Sequence, residues 1–219
     1  MKRKSEGIKR INIDIRTVHF IVFSCAWFFT ALIAVDLIKQ FIIIAVSMNL
    51  VLLSVSNSLM KKDFGIEAFA RKNKRRIVTA FFNGFLYALL FAVAVFFTFA
   101  VFQDVTFLVK QGNLGFWSLF VWVIVQIITA FAEELFFRIY AYEVLFSAFR
   151  RKLLSIVLIS LMFAGLHIAL HGNIKQFFVS LVFSFYAFGI KEKRPDDSIY
   201  YLGWTHFIYN CLARFVFSV

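Results

Sequence analysis

The chain has 219 residues, of which 62% are hydrophobic and 20% aromatic, with 32 phenylalanines and a mean hydropathy of +0.83. Water-soluble domains are roughly 45–50% apolar, so lipid surrounds most of this protein and an ordinary soluble domain is excluded. The net charge of +12 does not indicate nucleic acid, because the cations fall in short blocks between apolar runs, with no soluble fold to present them.

At about 20 apolar residues per crossing, seven runs qualify as spans. They cover residues 17–35, 41–60, 77–102, 116–139, 153–171, 177–190 and 199–219. The expected fold is an all-α polytopic transmembrane bundle. It divides into a basic tail (1–16), N-terminal membrane helices (17–102, with a basic loop at 61–76) and a C-terminal helical group (116–219). The first run is longer than the apolar region of a signal peptide and no cleavage site follows, so it reads as a retained span. The sixth run is short, so it reads as tilted, re-entrant or extended by its flanks.

Lys and Arg concentrate in 2–16, 61–76, 150–152 and 191–194, on alternate connections, while the intervening loops carry only Lys39, Lys110 and Lys175. The positive-inside rule places the N-terminus in the cytoplasm and, with seven spans, the C-terminus outside. Basic loops of this kind fit a bacterial plasma membrane and contact anionic lipid. The 61–76 loop, with Phe64, Ile66 and Phe69 among its charges, reads equally as an interfacial helix or a solvated loop. Residues 140–149 either continue the fourth helix or lie along the membrane surface. Cys25 and Cys211 sit in apolar runs without metal-ligand spacing and read as core residues.

The informative interruption lies in the fourth run: Glu133, Glu134 and Arg138 inside an apolar stretch. Each ionisable group costs ~2.5–3.5 kcal/mol near the centre of a membrane helix. Such groups must satisfy one another or perform chemistry. Residues four apart share a helix face, so Arg138 is placed to pair with Glu134. Glu133 points elsewhere and needs a partner from another helix.

Four histidines are available. His19 opens the first span and reads as interfacial, and His171 closes the fifth. His167 lies deeper, one turn after Phe163, and His206 shares a face with Asn210. A carboxylate beside an imidazole can deprotonate water. An imidazole and a carboxamide one turn apart can stabilise an oxyanion. Those are the parts needed to hydrolyse an amide.

The motifs EExxxR (133–138), FxxxH (163–167) and HxxxN (206–210), in that order, resemble those of the CAAX protease and bacteriocin-processing (CPBP, or Abi) intramembrane proteases, which include the type II CAAX prenyl protease. The resemblance covers about residues 116–215. It implies an endopeptidase acting on a membrane-associated peptide or protein, in bacteriocin or pheromone maturation or in self-immunity. Glu133 and His167 would activate water, Glu134 and Arg138 would support the site, and His206 with Asn210 would form the oxyanion hole. The expected mechanism needs no cofactor. The alternative is Zn²⁺ held by Glu133, His167 and His206, with His171 one turn from His167 as a further donor.

The chain has nine residues after Asn210, fewer than a further C-terminal span of the prenyl protease requires. Depth also conflicts with these boundaries. They put Glu133 and His206 ~10 Å from the cytoplasmic face and His167 ~20 Å from it, unless the fifth helix tilts or projects into the cytosol. Two rival classes remain: a non-catalytic interaction protein on the same fold, and a transporter with a proton-relay glutamate.

Overall fold

The computed structural model describes residues 74–100, 106–107, 115–171, 174–194 and 198–218. The tail, the spans expected at 17–35 and 41–60, and the loop to residue 73 lie outside the described residues, as do His19 and Cys25. The described chain is helical: α1 (Lys74–Ala100), α2 (Phe116–Glu134), a π-helical segment (Leu135–Ala141), α3 (Tyr142–Phe149), α4 (Lys152–His171), α5 (Ile174–Lys193) and α6 (Ser198–Phe215). A two-residue antiparallel pair joins Thr106–Phe107 (β1) to Phe217–Ser218 (β2).

Among the described residues, three stretches are long and apolar enough to cross a bilayer: Val78–Phe99, Phe116–Phe149 and Ile174–Lys193. This is a membrane protein, and α1 displays the packing rule of one. Its buried face is Ala80, Gly84, Ala88 and Ala92, at every fourth position, with Phe91 and Val95 beside them. Phe82, Leu86, Leu90, Val93 and Phe97 are exposed. Most large residues face outward while the every-fourth-position stripe is small, because lipid already solvates Phe and Leu and close backbone approach supplies the helix–helix attraction. At Gly84 an added Cβ would lie 2.6 Å from Trp204 Cβ and 3.2 Å from the Thr205 backbone nitrogen. The α1–α6 crossing therefore depends on a glycine there.

Helix α6 occupies the middle. Ten of its residues, from Ser198 through Tyr209, are buried, and it packs against α1, α2 and α5. Its Thr205 and His206 are buried and Asn210 bonds to Gln126 of α2, so its polar groups face the bundle interior as membrane helices require, and the seventh expected span (199–219) is not among the three apolar stretches. On its α2 side, Gly203 receives the face of the Phe131 ring, 2.6 Å from where a Cβ would stand. Helices α4 and α5 form an antiparallel hairpin. Ser184 donates to Ser160 across it at 3.0 Å, and Phe163 stacks on Phe183.

Two boundaries that apolar counting left open are fixed by the structure. The sixth run is a full 20-residue helix, Ile174–Lys193, because its ends are polar residues that apolar counting leaves out. The fourth run does not stop at 139: α2, the π segment and α3 make one helical rod of 34 residues to Phe149. At 1.5 Å per residue the rod is ~50 Å long, well beyond the ~30 Å hydrocarbon core. Arg150 then turns the chain with a left-handed conformation (φ 54°, ψ 22°), and α4 runs back. The longer rod removes the depth conflict. Glu133 and His167 lie equally far in sequence from the Arg150 turn, one on each arm, and so reach the same level.

Candidate active site

Helix α2 delivers both glutamates at its last turn, where Glu133 and Glu134 are buried. The helix then widens into the π segment, which carries Arg138. Such widened turns concentrate at functional sites because they re-aim side chains without breaking the helix. The Lys191 ammonium of α5 donates to the Arg138 carbonyl at 2.6 Å and lies 3.8 Å from the centre of the Tyr142 ring. That contact ties the end of α5 to the π segment.

Arg138 and Glu134 have no solvent exposure, and Nε lies 3.2 Å from Oε2. This is the pair the four-residue spacing predicts. It is an ion pair rather than an aligned hydrogen bond, since neither atom meets hydrogen-bond geometry. The guanidinium is also enclosed by aromatic rings, with Cζ 4.3 Å from the centre of Phe163 and 5.7 Å from that of Phe188. Ring faces carry negative potential, so they offset part of the cation's desolvation.

The other oxygen of Glu134, Oε1, accepts a hydrogen bond from His206 Nδ1 at 2.8 Å. Spacing did not anticipate this contact. With Nδ1 donating to a carboxylate, Nε2 is the nitrogen left to face Glu133, and it lies 3.8 Å from Oε2. His167 follows the same logic. Its Nδ1 lies 2.9 Å from the Phe163 carbonyl oxygen; a carbonyl only accepts, so Nδ1 carries the proton and Nε2 presents a lone pair. One donor atom each from Glu133, His167 and His206 lie within 4.8 Å of one another. Of the three, His167 is the least buried.

Asn210 stands one turn beyond His206. Its Nδ2 donates to Oε1 of Gln126 at 3.1 Å. Gln126 was not singled out by sequence, although it is the lone amide between Phe116 and Glu134, and a polar residue in a membrane helix warrants a functional reading. The side chain of His171 lies outside the described residues. Cys211 is a half-buried free thiol.

One carboxylate and two imidazoles form a donor set that suits zinc. Both imidazoles are oriented through Nδ1 by an acceptor, as metal-bound histidines usually are. The 4.8 Å spread exceeds the ~3.4 Å ligand–ligand distance that ~2.1 Å bonds and tetrahedral geometry give, so binding would draw the three inward.

A buried acid, two oriented imidazoles and a carboxamide one helical turn away thus come together between the helices. Residues 115–212 match the family model described as "Type II CAAX prenyl endopeptidase Rce1-like". The match relates these helices to the CAAX protease (CPBP) family, a family of proteases. No curated protein and no solved structure matches this chain.

Proposed function

We propose that this protein is an intramembrane endopeptidase that cleaves a membrane-associated peptide or protein with water activated at Glu133. The observation that supports this most is the convergence of donor atoms from Glu133, His167 and His206, drawn from three helices to within 4.8 Å. Water bound there gives a proton to the Glu133 carboxylate, with His167 Nε2 as a second acceptor, while its oxygen attacks the scissile carbonyl carbon. The oxyanion takes a hydrogen bond from Asn210. His206, held through Nδ1 by Glu134, is the second group proposed at the oxyanion. The C–N bond then breaks and the proton held by Glu133 passes to the departing amine.

A second reading follows from the same donor set: Glu133, His167 and His206 would hold Zn²⁺, which when bound acidifies a water molecule. In that case the roles of Glu134, Arg138 and the Phe163 carbonyl, orienting the histidines and balancing charge, are unchanged.

The expected setting is a bacterial plasma membrane with the N-terminus in the cytoplasm. The basic residues at 150–152 and 191–194 gather at one end of the bundle, where Lys152 pairs with Glu192, and this end would face the anionic cytoplasmic leaflet. Maturation of a bacteriocin or pheromone, or self-immunity, are the roles proposed from family resemblance. The test is substitution at equal membrane levels. Glu133→Ala and His167→Ala should each abolish the phenotype of the intact protein. A partner-binding scaffold would keep its phenotype in both variants, and a proton-coupled transporter would lose function on collapse of the proton gradient without releasing peptide.

A further inference from the structure

Between α2 and α6 the polar groups form a ladder. Helix α2 contributes Trp122, Gln126 and Glu133, and the antiparallel α6 contributes Arg214, Asn210 and His206 in the matching order. At the outer rung Arg214 Cζ lies 4.5 Å from the Trp122 ring centre, and Trp122 meets Phe215 edge-on at 5.3 Å. At the inner rung His206 reaches Glu134 by hydrogen bond and approaches Glu133. The middle rung is the amide-to-amide bond from Asn210 Nδ2 to Gln126 Oε1, and both side chains are half-buried. A carboxamide has two N–H groups and turns readily about its last torsion. Oxyanion donors are effective because they are fixed before charge develops. An Asn210 free to rotate would present oxygen to the substrate as readily as nitrogen.

We propose that Gln126 is a positioning residue for the reaction: by accepting one N–H of Asn210 it fixes the carboxamide so that the second N–H faces the scissile carbonyl. Gln126 acts through Asn210 and does not touch the reacting atoms. This inference rests on the proteolytic reading above, and the experiment separates the two.

Peptides are first compared in cells carrying the intact full-length protein or Glu133→Gln. A fragment junction that depends on Glu133 is then synthesised as a quenched fluorescent peptide and used with purified protein in nanodiscs. Asn210→Ala is expected to lower kcat by about 10²–10³-fold, the usual effect of losing an oxyanion donor. Gln126→Met, which keeps the volume and removes the acceptor, is expected to lower kcat by roughly tenfold with KM unchanged. The double variant should be no slower than Asn210→Ala alone, since nothing remains to be positioned. Equal melting temperatures confirm that the loss is not one of folding. If Gln126→Met retains full kcat, raises KM alone, or multiplies the Asn210→Ala defect, the positioning role is wrong while the protease stands. If no fragment depends on Glu133, the protease reading and the role of Gln126 fall together.

Discussion

His206 donates from Nδ1 to Oε1 of Glu134 at 2.8 Å, so the second glutamate orients the imidazole that faces the first. Glu134 therefore has two partners at once, His206 through one oxygen and Arg138 through the other. Removing one member of a buried charged set typically costs ~3–5 kcal/mol, because the rest is left uncompensated. Glu134→Ala and Arg138→Ala should lower folded yield together with activity. Glu133→Gln should leave yield intact, since the amide is isosteric with the carboxylate and the Glu134–Arg138 and Glu134–His206 contacts are kept. Size-exclusion profiles and melting curves in detergent check this, and equal loss in all three variants would contradict the division of labour.

The Gly84 crossing gives a test of packing. Alanine there meets Trp204 Cβ and the α6 backbone, which cannot swing aside as a flexible side-chain tip would. Gly84→Ala should destabilise by ~1–3 kcal/mol, the usual cost of overpacking. Gly189→Ala, where a Cβ meets nothing within 4 Å, should be neutral or slightly stabilising, since alanine suits a helix better than glycine. Matching melting temperatures for the two variants would show that α1 and α6 do not approach this closely.

Lys191 is expected to matter more than its position at the end of α5 suggests. Its ammonium donates to the Arg138 carbonyl within the π segment, and hydrogen bonds to charged groups contribute about 1.5–3 kcal/mol. Lys191→Met keeps the stem over Tyr142 and removes the donor. It should lower thermal stability measurably, while Lys152→Ala, which breaks only the exposed pair with Glu192, should not. The opposite ranking would mean that the π segment is held in another way.

The pairing of Glu134 with Arg138 was legible because four-residue spacing on a helix leaves little choice, and so was the need of Glu133 for a partner from elsewhere. The length of the α2 rod was only half legible, since continuation through 140–149 was one of two open readings. Tyr140-Ala141-Tyr142-Glu143 is neither clearly apolar nor clearly a turn, and nothing in the sequence marks the widening at Leu135–Ala141. That one boundary displaced Glu133 from its true distance to the turn and produced the depth conflict with His167. The Ala80-Gly84-Ala88-Ala92 stripe was available at helical spacing, but hydropathy alone treats it as more apolar sequence. Helix α6, expected as the seventh run at 199–219, is present as Ser198–Phe215, although it is not among the three apolar stretches. The expected N-terminal spans lie outside the described residues.

Metal dependence separates the two catalytic readings. In the metal-free mechanism, dialysis against 1,10-phenanthroline leaves the rate unchanged, and the purified protein carries substoichiometric zinc by elemental analysis. Loss of activity that returns with added Zn²⁺ would instead assign Glu133, His167 and His206 as ligands, and His167→Ala would then also lower zinc content.

The central claim is that water within the bilayer is turned on a peptide bond where Glu133 meets His167 and His206. The most direct measurement is comparative peptidomics of membranes from cells carrying the intact protein or Glu133→Gln, incubated in ¹⁸O-labelled water. The account predicts at least one new C-terminus that carries ¹⁸O with the intact protein and is missing with Glu133→Gln at equal membrane levels. Identical peptide sets from the two membranes would contradict it.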